Sequence, residues 1–337
     1  MWTIPPEAGP HQHTWMAYPW DKRIWGGDLG AAQKSISKLI RTISCYERVC
    51  LLVPPIDEKK LSRRFASSEV DVIAANYNDI WVRDTLPTFA VGSNKSLVAI
   101  DWHFNGWGKT RGLHYRQDVK IGRLVARMAG ATVIDTDVVA EGGAFAFDGH
   151  DTVVATQSVM LHSKRNGAHN QSHLENALLR ASHCTSICWL PGDKLERITR
   201  GHADSILAFA SRNTVLFHWT EDEQSWERRI CEKNLQAFER WMDQENRKYE
   251  IIKLPSPLSP DDEYCTSYIN FAHVNGAVMV PAHGGGFSKL DDRARRIVEE
   301  ALGKPAISIP ICGIAAYGGG IHCATQQEPI IIVAPSK

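Results

Sequence analysis

The chain has 337 residues, 43% of them hydrophobic, enough to bury a large core as one big domain or two ordinary ones. Its 38 Lys and Arg balance its 38 Asp and Glu, so it lacks the basic excess expected of a protein held by nucleic-acid phosphates or an anionic membrane. The start Met1-Trp2-Thr3-Ile4-Pro5-Pro6 has no basic stretch followed by an apolar one, and the sequence reads as a cytoplasmic protein with no export signal or membrane span.

In chain order, a strand falls at 14–18, a helix over 31–43 and a strand at 49–53. Alternating apolar and β-branched residues mark the strands, and apolar residues recurring every three or four positions mark the helices. Two strands at 88–91 and 97–101 then precede a helix over 119–128 and a strand at 132–134. The same order returns at 144–147, 152–155, 171–181 and 186–190, again at 205–209, 214–218, 226–243 and 250–254, and again at 268–273, 277–280, 290–302 and 306–309. A last strand at 330–333 has no helix after it. Joined to the N-terminal elements, it would complete a fifth ββαβ unit and close the chain on itself.

Four segments carry candidate chemistry. Asn78 to Pro87 contains Trp81 and Asp84, Glu141-Gly142-Gly143 follows, then Gly201-His202-Ala203-Asp204, and last Gly318-Gly319-Gly320-Ile321-His322-Cys323. Each of Asp84, Glu141, Asp204 and Cys323 stands at or just before the first strand of a unit. If the units surround an axis, these residues converge on one central pocket. The equivalent segment Ser267-Tyr268-Ile269-Asn270 is expected to line that pocket without doing the chemistry.

Cys323 is the candidate nucleophile, since a thiolate is the strongest side-chain nucleophile near neutral pH and the glycines allow close approach of a ligand. His202 and Asp204, two apart, would share one face of a strand and enter the pocket together. With Asp84 and Glu141 they put three acids around one thiol, which favours a cationic ligand. A planar guanidinium fits best: its N–H fork suits paired carboxylates and leaves the central carbon open to sulfur. A metal site is the rival, but the chain has no His-Glu-x-x-His, calcium-loop pattern or paired cysteines. His283-Gly284-Gly285-Gly286 has the look of an oxyanion loop, yet no Gly-x-Ser-x-Gly elbow accompanies it. The eight cysteines read as reduced thiols rather than a disulfide framework, with Cys45, Cys50, Cys184 and Cys188 expected in the core.

These segments, with Trp15-Met16-Ala17, Asp101-Trp102 and Phe104-Asn105-Gly106-Trp107-Gly108, resemble the agmatine deiminases, within the wider group of guanidino-modifying enzymes that includes arginine and peptidylarginine deiminases and amidinotransferases. The resemblance covers nearly the whole chain. It implies a single catalytic domain over 1–337 folded as an α/β fivefold pseudosymmetric propeller, or pentein. It implies Cys323 as nucleophile, His202 as general acid and base, and Asp84, Glu141 and Asp204 on the guanidinium; beside it, Trp81, three before Asp84, either stacks on the guanidinium or fills the core, and Gly320 is expected to line the substrate. It calls for no cofactor and no metal, and leaves a homo-oligomer open. Leu86, Ala324 and Ala203-Asp204-Ser205 depart from the family's usual residues, so the substrate tail stays open between agmatine and another guanidino compound, with an amidinotransferase or a silent guanidine binder as further alternatives.

Two smaller expectations complete the reading. Asp79 and Arg83 should pair and brace their loop, and His322, if on a strand, should point away from Cys323 and pack.

Overall fold

The structure, a computed structural model, describes residues 1–66, 68–110, 114–258 and 264–331. Among these residues the strands form five sheets, two of four strands and three of three. All five share one connectivity: an antiparallel pair of strands, then a helix, then a third strand parallel to the second. The first sheet contains Thr88–Gly92, Leu97–Asp101 and Thr132–Asp135. The next three run Phe145–Phe147, Thr152–Thr156, Ser186–Leu190; Leu207–Ser211, Thr214–Trp219, Glu250–Pro255; and Ala272–Val274, Ala277–Ala282, Ala306–Pro310.

The fifth sheet joins the two ends of the chain. Gln326–Pro329 pairs antiparallel with His11–Ala17, which lies parallel to Val49–Val53. The last strand therefore begins earlier than the expected 330–333, of which 332 and 333 lie outside the described residues. Two edge strands went unread in the sequence: Trp2–Thr3 on Thr88–Gly92, and Val70–Ala74 on Val49–Val53.

Each connecting helix covers its sheet with one apolar stripe. Leu29–Ile43 buries Ala32, Ile36, Leu39, Ile40 and Ile43, positions three and four apart on one face. Trp226–Gln244 starts where the Ser225 side chain accepts the Arg228 N–H, a cap that contributes about 1 kcal/mol, and it buries Cys231, Leu235, Phe238 and Trp241. Ser288–Leu302 stops at Gly303, whose φ of 59° is left-handed. Burying each large side chain on these faces contributes about 1.5–3 kcal/mol. None of the described helices is long and apolar enough to cross a membrane.

The first strands of three units start later than the sequence suggests, because a short turn stands before each. Gly142–Ala144 and Ala203–Ser205 are single 3₁₀ turns, and residues 268–271 are turn and coil ahead of Ala272–Val274. Asp204 sits inside one of these turns, and Glu141 and His202 stand immediately before theirs.

Candidate active site

Every candidate residue lies at the entrance to the first strand of its sheet. Asp84 is in the short helix Val82–Thr85, Glu141 precedes the turn Gly142–Ala144, Asp204 is inside Ala203–Ser205, and Cys323 is in the turn that leads to Gln326–Pro329. The stretch from His202 to Asp204 is thus a turn rather than a strand, and His202 and Asp204 reach the site through that turn, not through strand alternation. Side chains of all five residues are buried: Glu141 is 0% exposed, His202 1%, Asp84 and Asp204 5%, Cys323 7%.

The acids and the imidazole interlock. Asp84 accepts hydrogen bonds through Oδ1 from the Gly143 N–H at 3.0 Å and through Oδ2 from Trp107 Nε1 at 2.8 Å. Glu141 takes Arg165 Nε at 2.8 and 3.1 Å on its two oxygens, and its Oε2 lies 3.3 Å from His202 Nε2. His202 Nδ1 stands 3.7 Å from Asp84 Oδ1 and has no hydrogen-bond partner among the described residues. The backbone must come very close here: a Cβ on Gly143 would fall 2.6 Å from His202 Nδ1, 2.8 Å from Asp84 Oδ1 and 3.0 Å from Asp204 Oδ2.

On the other side stands the thiol. Cys323 Sγ accepts from Asn270 Nδ2 at 3.2 Å and lies 3.7 Å from Asp204 Oδ2, while the Cys323 N–H donates to Asn270 Oδ1 at 3.2 Å. Asn270 comes from the segment expected only to line the pocket, and it grips the cysteine at two atoms. Gly320 makes this packing feasible, since a Cβ there would sit 2.6 Å from Asn270 Oδ1. Trp81 is buried in the core, its ring against the Gly319 backbone and 6.1 Å from the Trp25 ring.

Residues 321–324 form a turn, and this corrects the strand-based expectation for His322. Its Nδ1 is 2.9 Å from the same Asp204 oxygen that faces the sulfur, and its Nε2 is 2.9 and 3.0 Å from Glu7. Arg83, expected to pair with Asp79, instead reaches Glu7 at 3.3 Å and Gln327 at 2.7 Å, and its backbone N–H donates to the Cys323 carbonyl at 3.1 Å. The Asp79 carboxylate accepts from the Ile80 N–H at 2.8 Å.

Burial and neighbouring charge set the protonation states. Burial pushes the Cys323 thiol well above its ordinary value, and Asp204 and Asp84 push it further. Burial would lower His202, but the carboxylates of Asp84 and Glu141 outweigh it and raise the imidazolium to about 9. Burial would raise Glu141, yet Arg165 and His202 hold it below the usual carboxylate range. Asp204 is likewise depressed, with burial overcome by His322. Asp84 goes the other way: burial, then Asp204 and Glu141, outweigh His202 and raise it. These shifts favour a neutral Cys323 thiol and a His202 imidazolium in the resting site.

The three acids were expected to need a cationic ligand as their compensation. Arg165, His202 and His322 already supply cations from the chain itself, with Arg83 on Glu7. Arg165 belongs to a segment with no local signal, whereas Arg83 and His322 adjoin Asp84 and Cys323 and only their partners, Glu7 and Asp204, lie in distant segments.

Among the described residues, one group is spaced to hold a metal: Asp101, His103 and Asp135, outside this site. There Arg123 Nε binds Asp101 at 2.7 Å and its Nη2 binds Asp135 at 2.8 Å, so a guanidinium already satisfies both carboxylates. Two cavities flank the acid cluster. One of about 250 Å³ is bordered by Glu7, Asp204 and His322, and one of about 150 Å³ by Ser205, Cys265, Ser267 and Gly318.

Residues 3–329 match the pattern of the Porphyromonas-type peptidyl-arginine deiminase family. A Streptomyces coelicolor protein provisionally named agmatine deiminase is 32% identical, over 97% of this chain and 98% of its own. The agmatine deiminase of Stutzerimonas stutzeri is 30% identical, over 97% of this chain and 95% of its own. Among solved structures, the agmatine deiminase of Enterococcus faecalis superposes with a TM-score of 0.91 at 25% identity, covering 98% of this chain and 96% of that one. With a buried thiol, imidazole and acid cluster at equivalent places in repeated units, and a pattern match across nearly its full length, the chain belongs to the Porphyromonas-type peptidyl-arginine deiminase family.

Proposed function

We propose that this protein is an agmatine deiminase, which hydrolyses the guanidinium of agmatine to N-carbamoylputrescine and ammonia. The observation that carries the reading is the Cys323 sulfur beside Asp204, across from an Asp84–Glu141–His202 cluster. The agmatine deiminases at 30% identity and above point to the substrate. Asp84, Glu141 and Asp204 bind the N–H groups, with Trp81 and Gly320 framing the site. The guanidinium charge lowers the thiol's pKa and so promotes the thiolate. Sulfur attacks the guanidinium carbon; His202 then gives its proton to one nitrogen, which leaves as ammonia and creates a cationic amidino-thioether. Neutral His202 takes a proton from water, the hydroxide adds to the same carbon, and the carbon–sulfur bond breaks as the added hydroxyl gives up its proton, which ends on the released ammonia, freeing the ureido product and the thiolate. The net reaction consumes guanidinium and water and yields a urea and ammonium.

The five sheets of like connectivity, the last of which closes through both ends of the chain, support a fivefold pseudosymmetric propeller forming one catalytic domain over 1–337. Free thiols throughout fit a cytoplasmic enzyme on the path to putrescine and polyamines. The matching family's description favours a second reading, deimination of peptidyl-arginine. A panel of agmatine, free arginine and a blocked arginyl peptide, assayed for ammonia and ureido product, separates them. Agmatine turnover that exceeds the others supports the first reading, preference for the peptide supports the second, and amidino transfer to added glycine or ornithine defeats both.

A further inference from the structure

His322 adjoins the nucleophile in sequence, yet its two ring nitrogens face the carboxylates of Asp204 and Glu7. We propose that His322 is a positioning residue: as a doubly donating imidazolium it holds the Asp204 carboxylate ionised and aimed at the guanidinium, with Glu7 of the N-terminal segment as its second anchor. The inference rests on the amidine-hydrolase reading above.

The geometry requires two donors. Nδ1 lies 2.9 Å from Asp204 Oδ2, and Nε2 lies 2.9 and 3.0 Å from the two oxygens of Glu7. Ionised carboxylates only accept, and a neutral imidazole carries one N–H, so one of the two acids would face a lone pair. The imidazolium satisfies both. The His322 side chain is 8% exposed, so its contact with Asp204, whose own side chain is 3% exposed, is made largely out of water. The turn that makes this contact is itself braced: Thr325 Oγ1 donates to the carbonyls of Ile321 at 3.0 Å and His322 at 3.3 Å. Neighbouring side chains on a turn, unlike those on a strand, can converge on one carboxylate, and Asp204 Oδ2 receives His322 while facing Cys323 at 3.7 Å.

The charged surroundings make the contact consequential. Asp204 also feels His202 and Arg83 and shares its pocket with Asp84 and Cys323; Glu7 also faces Arg83 and His273. Loss of the His322 cation would leave Asp204 near Asp84 and the thiol with one fewer compensating charge. Its proton affinity would rise, and binding that needs the carboxylate would fail at a higher pH.

Two measurements test this. Long-range ¹H–¹⁵N spectra of histidine-labelled protein, with His322 assigned by its loss in His322→Asn, should show both ring nitrogens protonated at pH 7.5; a neutral-ring pattern would overturn the proposal whatever the substrate. In kinetics with agmatine, His322→Ala should move the acid limb of kcat/KM upward by about one pH unit, with KM rising more than kcat falls. Glu7→Gln should move it the same way by less. His322→Asn, which keeps an uncharged donor near Nδ1, should recover part of KM but keep the displaced limb. An unmoved limb in folded His322→Ala, or full restoration by His322→Asn, overturns the proposal. If the unaltered enzyme leaves agmatine untouched, the substrate reading fails and the spectra still decide the state of His322.

Discussion

Arg165→Met provides a stringent test of how the acid cluster is held. Arg165 and Glu141 are both 0% exposed at their side chains, joined at 2.8 and 3.1 Å, and Arg165 Nη2 also donates to the Thr199 carbonyl at 3.2 Å. Methionine keeps the apolar stem and removes the charge, which leaves a buried carboxylate facing only His202. Breaking such a pair costs about 3–5 kcal/mol, because the remaining ion has lost its partner while still excluded from water. At about 2–4 °C per kcal/mol for a chain of this order of size, the midpoint of thermal unfolding should fall by roughly 6–20 °C. The double variant Arg165→Met with Glu141→Gln carries no stranded charge and should recover most of the loss. The pH dependence has a definite sign. Glu141 is held below its ordinary value, so its stabilising contribution is complete above the unfolded-state pKa and disappears as pH falls through the folded one. The gap between wild type and Arg165→Met should therefore shrink in acid. Urea and thermal unfolding at pH 7.5 and pH 4 measure all of this. A loss under about 1 kcal/mol, or a double variant no more stable than the single, would refute the reasoning.

Three further predictions concern the site itself. Because burial and two acids raise the Cys323 thiol, alkylation by a small neutral reagent should be slow without ligand at pH 6 and accelerate toward pH 9; equal rates at both would contradict the protonation state assigned. Asp84→Asn turns one acceptor into a donor facing Trp107 Nε1 or the Gly143 N–H, and calorimetry in a Cys323→Ala background should show guanidinium affinity lost; unchanged affinity would remove Asp84 from its role. Gly143→Ala would drive a methyl between His202, Asp84 and Asp204, so turnover should fall by at least about a hundredfold, and near-normal kcat would show that the cluster is looser than it stands here.

Local pattern carried much of this fold. The strands Leu97–Asp101, Ser186–Leu190 and Val49–Val53 keep the bounds read from the sequence, and the five helices agree within two residues at each end because their apolar stripes are continuous. Val70–Ala74 escaped notice: it is a partly exposed edge strand whose place is set by pairing with Val49–Val53 rather than by its own periodicity. In the site, the acids, His202 and Cys323 were visible because glycines and turn residues surround them. Their partners were not. Arg165 sits in an ordinary-looking short helix, Glu7 in an N-terminal segment without regular structure, and His322 would pack away from Cys323 on a strand but lies in a turn. These contacts join residues from 24 positions apart, Arg165 to Glu141, to 315, His322 to Glu7, and no local rule of spacing encodes them.

The most direct test of the central claim is to mix the enzyme with agmatine, quench in acid, and weigh the peptide that contains Cys323 while counting ammonia and ureido product in parallel. The account predicts an amidino adduct on Cys323, one ammonia for each N-carbamoylputrescine, and loss of both adduct and turnover in Cys323→Ala. Turnover that persists in Cys323→Ala, or an adduct carried on another residue, would contradict it.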